Sequence, residues 1–110
     1  MATAADCRRI ALSLPGTSEA PHFHRAAFRV ARIFATLDER CAYMMFTPDE
    51  QEFKVMLAPE AFAPLPNAWG RKGWTEVTLA AVSTDELAAA LRMAHAHARP
   101  RKKERKGVKP

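Results

Sequence analysis

Two segments, one near each end of the chain, repeat apolar residues at the three- and four-residue spacing of a helix with one buried face. Each segment begins with a capping box, formed by Thr3 and Asp6 in the first and by Ser83 and Glu86 in the last. A Pro-Gly pair ends the first segment. The predicted buried faces are Cys7, Ile10, Ala11 and Leu14 in the first helix, and Leu87, Leu91, Ala94 and Ala98 in the last.

A shorter helix is predicted near the middle of the chain. Thr47 is its N-cap, Pro48 occupies the first helical position, and Glu50 completes a capping box. Pro59 limits its length. The residues expected on its buried face are Phe53, Met56 and Leu57.

Between these helices the pattern changes to the alternation that is typical of strands. Residues 26–46 alternate around a polar turn at residues 38–40, which predicts two or three antiparallel strands joined by short turns. Residues 74–80 predict a further strand, in which Val77 and Trp74 lie on opposite faces.

The remaining connections are predicted to be irregular. Residues 17–24 are mostly polar, residues 61–68 contain two prolines, and Gly70 and Gly73 bracket a tight turn. The order of helix, β meander, short helix, strand and final helix predicts an α+β fold with an antiparallel sheet. We expect one domain over residues 1–98.

The net charge of +5 is distributed unevenly along the chain. Residues 99–110 carry seven Lys or Arg and one Glu, whereas residues 1–98 carry ten Lys or Arg and eleven Asp or Glu, a net charge of −1. Residues 99–110 are therefore predicted to form a disordered basic tail, which either contacts phosphates non-specifically or only keeps the chain soluble. The candidate tail contacts are Arg101, Lys102, Lys103, Arg105 and Lys106.

Composition and the absence of known motifs argue against several classes of protein. No apolar run approaches the roughly 20 residues of a membrane span, and the N-terminus lacks the layout of a signal peptide. Cys7 and Cys41 are too few for a disulfide scaffold. We expect a cytoplasmic protein with no membrane partner. No P-loop, dinucleotide glycine pattern or hydrolase motif occurs, so we expect no catalytic residue, no enzyme activity and no cofactor.

The four histidines are candidate metal ligands. His22 and His24 would point the same way in an extended strand, as ligand pairs do in metal sites. No further His or Cys lies at a matching spacing, and His95 and His97 diverge on a helix. We expect no bound metal.

Four stretches together carry a family resemblance: "ALSLPGTSEAPHFHRAAFRV", "IFATLDE", "AWGRKGWTEVTLA" and "STDELAAALRMAHAHA". In this combination the chain resembles the MmcQ/YjbR family of small bacterial proteins. The resemblance implies a frataxin-like topology, with helices packed on one face of an antiparallel sheet, and DNA binding through a pair of hairpin wings. Frataxins bind iron through an acidic ridge on the first helix. Here Arg8 and Arg9 follow Asp6, so iron binding is not expected.

Two hypotheses for the function remain open. In the first, the protein is a non-enzymatic, weak and sequence-nonspecific DNA-binding protein. Arg71 and Lys72 then form a wing tip, Arg25 and Arg29 contact the DNA backbone from the first hairpin, and Trp74 stacks on a base or supports the tip.

In the second hypothesis, the chain is a protein-interaction or small-ligand module. Its binding surface is apolar and surrounds Trp69, Trp74, Phe62 and Leu65. Because tryptophan is usually buried, the two tryptophans could instead simply anchor a turn to the core. A monomer is expected in either case. Cations gathered on one face would favour DNA binding, and an exposed patch of Trp74 and Phe62 would favour the interaction module.

Overall fold

The computed structural model describes residues 1–100, which form one antiparallel sheet with helices against it. Among these residues, no helix is long and apolar enough to cross a bilayer. The predicted tail contacts, Arg101 to Lys106, lie outside the described residues. The elements are α1 (Ala4–Ser13), β1 (Ser18–His22), β2 (Arg25–Arg29), β3 (Ile33–Leu37), β4 (Cys41–Met45), α2 (Pro48–Leu57), β5 (Phe62–Pro64), α3 (Ala68–Arg71), β6 (Trp74–Thr78) and α4 (Thr84–Ala98).

The six strands lie in the order β1-β2-β3-β4-β6-β5, and every neighbouring pair is antiparallel. The first four strands form a meander, and β2, β3 and β4 are the antiparallel strands that the alternating pattern of residues 26–46 predicts. The chain then passes through α2 to the far edge, where β5 and β6 pair with each other and β6 also pairs with β4. The two edge strands each contain a proline, Pro21 in β1 and Pro64 in β5. The predicted α+β fold is confirmed.

Helices α1 and α4 cover one face of the sheet. Both start at the predicted residues, because Thr3 and Ser83 each accept a hydrogen bond from the N–H three residues on, and the acidic residue there bonds back. The fully buried side chains between sheet and helices include Phe28, Met44 and Val77 from the strands. The predicted face of α4 is buried, and so are Cys7 and Ala11 of α1.

A β-bulge in β3 changes which side chains face the core. Phe28 pairs with Ala35, but the next residue, Arg29, pairs with Ile33, so Phe34 is an extra residue on β3. Phe34 and Ala35 are consequently both fully buried. Ile33 lines the opposite face of the sheet instead, where simple alternation would have placed Phe34.

Three sequence-based predictions of local structure are wrong. The predicted loop at residues 17–24 contains β1, whose side chains are all exposed, so it has no buried face to produce an alternating pattern. The proline-rich connection at residues 61–68 contains the short edge strand β5. The predicted tight turn between Gly70 and Gly73 is the end of the four-residue helix α3, which Asn67 caps.

The predicted buried face of α2 is also wrong. Phe53, Met56 and Leu57 are 53%, 70% and 64% exposed. The capping box formed by Thr47 and Glu50 is present as predicted. This helix packs beside β5 and β6 at the end of the sheet, outside the layer of α1 and α4, so only its other side meets the protein body.

A candidate binding groove

The face of the sheet opposite α1 and α4 carries a groove of about 840 Å³. Strands β2, β3, β4 and β6 contribute its floor. The turn between β1 and β2, the segment that enters α2, the helix α3 and the end of α4 contribute its walls. The lining residues are His22, Phe23, Arg25, Arg32, Ile33, Thr36, Tyr43, Met45, Phe46, Thr47, Pro48, Leu65, Trp69, Lys72, Trp74 and His97.

The charge of the groove has one sign. Among residues 1–100, three lining side chains are cations, Arg25, Arg32 and Lys72, and none is Asp or Glu. Carboxylates outside the lining contact it from behind. Glu50 Oε1 lies 2.8 Å from His97 Nε2 and accepts from the Thr47 N–H at 2.9 Å, and Asp38 accepts from the Tyr43 hydroxyl. Fixed positive charge beside apolar walls favours an anion that also carries an apolar or planar group.

Arg25 is held on the groove floor by an aromatic ring. Its guanidinium carbon lies 3.7 Å from the centroid of the Tyr43 ring, a cation–π contact. The Tyr43 hydroxyl donates to Asp38 Oδ2 at 2.9 Å, and Asp38 Oδ1 accepts from the backbone N–H groups of Arg40 and Cys41 at 2.9 and 2.8 Å. The chain of contacts therefore runs from the β3–β4 turn to the cation.

The pKa values of Tyr43 and Asp38 follow from their burial and their hydrogen bonds. Burial raises the pKa of the Tyr43 hydroxyl to about 12, and the hydrogen bond to Asp38 acts in the same direction. Burial favours the neutral acid at Asp38, but the backbone N–H groups of Cys41 and Arg40, the Tyr43 hydroxyl and the Arg25 charge together lower the pKa of this carboxyl. Tyr43 is therefore a neutral donor and Asp38 a charged acceptor at neutral pH.

The wall that carries both tryptophans is fixed by side-chain hydrogen bonds to the backbone. Asn67 Oδ1 accepts from the N–H groups of Trp69 and Gly70 at 3.0 and 3.3 Å, which starts α3. Gln51 Nε2 donates to the carbonyl oxygens of Gly70 and Trp74, both at 2.9 Å. One side chain of α2 thereby holds the end of α3 and the start of β6 together.

Gly70 and Gly73 are required for different reasons. A Cβ atom on Gly70 would lie 1.8 Å from the carbonyl oxygen of Leu65, so the glycine permits close backbone approach. Gly73 has a φ of +116°, and a Cβ atom there would lie 1.9 Å from the carbonyl oxygen of Phe46. The two glycines therefore allow this wall to lie in close contact with the backbone of Leu65 and Phe46. The sequence had instead predicted a projecting tip.

The structure brings together some of the predicted nucleic-acid contacts and separates others. Arg25, Lys72 and Trp74 line the groove. Arg29 and Arg71 are exposed but lie outside its lining, and Arg29 donates to the carbonyl oxygen of Ala31 at 3.4 Å. Because α3 is a helix at this point, Arg71 and Lys72 point in different directions, and they do not form the predicted wing tip.

The predicted apolar surface is likewise divided. Trp69, Trp74 and Leu65 line the groove, and Trp69 is 58% exposed. Phe62 is 6% exposed and belongs to the core, so it is not part of an exposed patch with Trp74. The predictions for both functions thus converge on a single groove, with Trp74 common to the two sets.

Several residues that line the groove were not among the site residues predicted from the sequence. Phe23, at the tip of the β1–β2 turn, is 91% exposed, has a φ of +58°, and packs edge-to-face against His22 with 4.8 Å between ring centroids. Arg32 donates to the carbonyl oxygen of His97 at 3.0 Å, which ties the β2–β3 turn to the end of α4. A phenylalanine between two histidines in a polar stretch was the available signal for Phe23.

A second depression, of about 820 Å³, lies around the β3–β4 turn and carries charges of both signs. Its lining includes Arg8, Glu39, Cys41 and Glu76. Burial raises the pKa of the Cys41 thiol, and the hydrogen bond to Glu76 raises it further. Within residues 1–100, no three His, Cys, Asp or Glu side chains are grouped as metal ligands.

Comparison with known proteins agrees with this geometry at the level of the fold. The crystal structure of Deinococcus radiodurans protein DR2400, a DUF419 domain, is similar with a TM-score of 0.74 and 23% sequence identity, over 99% of this chain and 84% of that one. No curated protein matches the chain. The sequence pattern of the YjbR family matches residues 12–97, which is most of the chain. The protein therefore belongs to the YjbR family.

Proposed function

We propose that this protein binds nucleic acid in the groove and catalyses no reaction. The observation that carries the proposal is the composition of the groove lining, which, in the part of the chain that the structure describes, combines three cations and several aromatic side chains with no carboxylate. Phosphates would contact Arg25, Arg32 and Lys72, and the aromatic walls would contact bases or sugars. Wing tips on separate hairpins are not needed for this mode.

The expected affinity is weak. Three phosphate contacts predict a log–log dependence on salt with a slope of about −2 for a single strand and nearly −3 for a duplex. The body of the protein adds little long-range attraction, since residues 1–98 carry a net charge of −1. Any contribution of residues 99–110 would add to the slope.

Adjacent cations offer a matched test. Lys72 lines the groove and Arg71, its neighbour in sequence, does not. The full chain, Lys72→Ala and Arg71→Ala would each be titrated into a fluorescently labelled oligonucleotide at 0.1 M salt. We expect Lys72→Ala to weaken binding roughly five-fold or more, the effect of one lost phosphate contact, and Arg71→Ala to weaken it much less. Since both variants keep residues 99–110 and have the same net charge, an equal loss in the two would contradict the proposal.

A small-molecule ligand is a second candidate, favoured by the size of the groove. Its volume of about 840 Å³ lies within the roughly 300–1,000 Å³ of ligand pockets. The probe for this alternative is anilinonaphthalene sulfonate, an aromatic anion whose fluorescence rises in apolar sites. Micromolar binding of the dye that Trp69→Ala abolishes, together with no binding of the oligonucleotide, would favour the small-ligand function.

A further inference from the structure

We infer that the groove takes single-stranded nucleic acid, with unpaired bases stacked on its aromatic walls, in preference to a duplex. This inference rests on the proposed function and specifies the form of the ligand. The first observation that supports it is that two aromatic rings of the groove are exposed and not packed in the hydrophobic core. Phe23 is 91% exposed and Trp69 is 58% exposed, and both line the groove from opposite parts of the chain.

The groove floor adds a further planar surface. The Arg25 guanidinium lies over the Tyr43 ring at 3.7 Å, and Arg25 is exposed. A guanidinium stacked on a ring has one occupied face and one free face, and bases stack on such free faces as they do on aromatic rings. Trp74, which is half-buried, lies in the same groove.

Two of these planar surfaces are paired with a cation. Lys72 Nζ lies 5.3 Å from the centroid of the Trp69 ring, and Arg25 itself combines charge and plane. A nucleotide likewise places a planar base within a few ångströms of an anionic phosphate. One nucleotide could therefore stack on Trp69 while its phosphate contacts Lys72.

A duplex cannot use these surfaces. Its base faces are covered by neighbouring base pairs, and it presents phosphates and base edges to a protein. Trp69 and Trp74 line a depression, whereas the apolar side chains that unstack a duplex project as wedges into its minor groove. The stacking energy of the groove is thus available only to unpaired bases.

The experiment compares three labelled probes with the full chain at one salt concentration. They are a mixed-sequence 12-mer, the same 12-mer annealed to its complement, and a 12-mer abasic oligomer with the same number of phosphates. Because each stacked base contributes about 5- to 140-fold in affinity, we expect the single strand to bind at least five-fold more tightly than the duplex and the abasic oligomer.

Three variants test whether Trp69 causes the preference for single strands. Trp69→Ala should reduce the single-strand preference several-fold, Trp69→Phe should retain most of it, and Met56→Ala, which removes an exposed apolar side chain outside the groove, should leave it unchanged. Because Trp69 and Met56 are both exposed, all three variants are expected to fold, and circular dichroism checks this.

The outcomes separate the two proposals. Equal binding of single strand, duplex and abasic oligomer, with binding still weakened by Lys72→Ala, would overturn the single-strand inference and leave nucleic-acid binding in the groove intact. A single-strand preference that Trp69→Ala does not change would also overturn it, since the stacking would then occur elsewhere. Binding that Lys72→Ala and Arg71→Ala weaken equally would overturn the proposed function.

Discussion

Three glycines of this protein allow the cost of a positive φ and the cost of a backbone clash to be measured separately. Gly16 has a φ of +75° but has space for a Cβ atom, whose nearest neighbour would be Val30 Cγ1 at 3.5 Å. Gly70 has helical backbone angles but no space, and Gly73 has both a positive φ and no space. Alanine at each position is the perturbation.

The expected costs follow from these distances. Gly16→Ala should lower the free energy of unfolding by about 1–2 kcal/mol, the cost of a left-handed conformation for a residue with a Cβ atom. In Gly70→Ala the Cβ atom would start 1.8 Å from the Leu65 carbonyl oxygen, where ordinary contact begins near 3.4 Å. Backbone must move to relieve this clash, so we expect a loss of about 3 kcal/mol, the upper end of the cost of overpacking.

Gly73→Ala combines the two costs and should lose about 4–5 kcal/mol, which approaches the total stability of many small domains. Urea denaturation of the full chain, followed by circular dichroism, measures all three values. Equal m-values would show that the variants share one denatured state. The reasoning would be refuted if Gly70→Ala were no more destabilising than Gly16→Ala, because α3 would then not pack closely on the backbone at Leu65.

Further predictions concern the core, α2 and the response to pH. Leu91→Ala should cost about 2–5 kcal/mol because the side chain is fully buried, whereas Met56→Ser should change the free energy of unfolding by about 0.5 kcal/mol or less; thermal melts of both variants test this. Burial raises the pKa of the Cys7 thiol from 9.0 to about 12, and that of Tyr43 from 10.0 also to about 12. The folded protein therefore keeps protons that the unfolded chain releases at high pH. The free energy of unfolding should consequently be unchanged below pH 9 and decline as the pH rises toward 12. Urea midpoints at pH 8 and 10.5 should show this decline, and Cys7→Ala should make it smaller; a midpoint that rises with pH would contradict the prediction. Cys7 should also react with a disulfide reagent at pH 8 only after unfolding, since the thiolate is the reactive form.

The sequence predicted the parts of the fold that depend on local chemistry. The helices α1, α2 and α4 begin at the predicted capping boxes, because a cap involves residues only three positions apart. The orientation of α2 could not be predicted in this way. Phe53 and its apolar neighbours have helical spacing, but where α2 lies is decided by how the chain crosses from β4 to the far edge of the sheet.

The groove was predicted only in part, because its residues are distant in sequence. Its lining extends from His22 to His97 and comes together through strand order and a bulge. Charge and aromatic content were enough to select Arg25, Lys72 and Trp74. They could not separate Lys72 from Arg71, because that distinction depends on a helix of one turn whose sequence contains a glycine and resembles a turn.

The prolines in the two edge strands have a consequence for how copies of this protein meet at high concentration. A sheet edge normally offers a row of free N–H and C=O groups that can recruit a strand from another molecule. Pro21 and Pro64 interrupt these rows at the outer strands, and a proline in an edge strand normally turns its donorless nitrogen outward. Growth into an extended intermolecular sheet is therefore disfavoured at both ends, and replacing either proline with valine would be expected to increase fibril formation before it changed the fold.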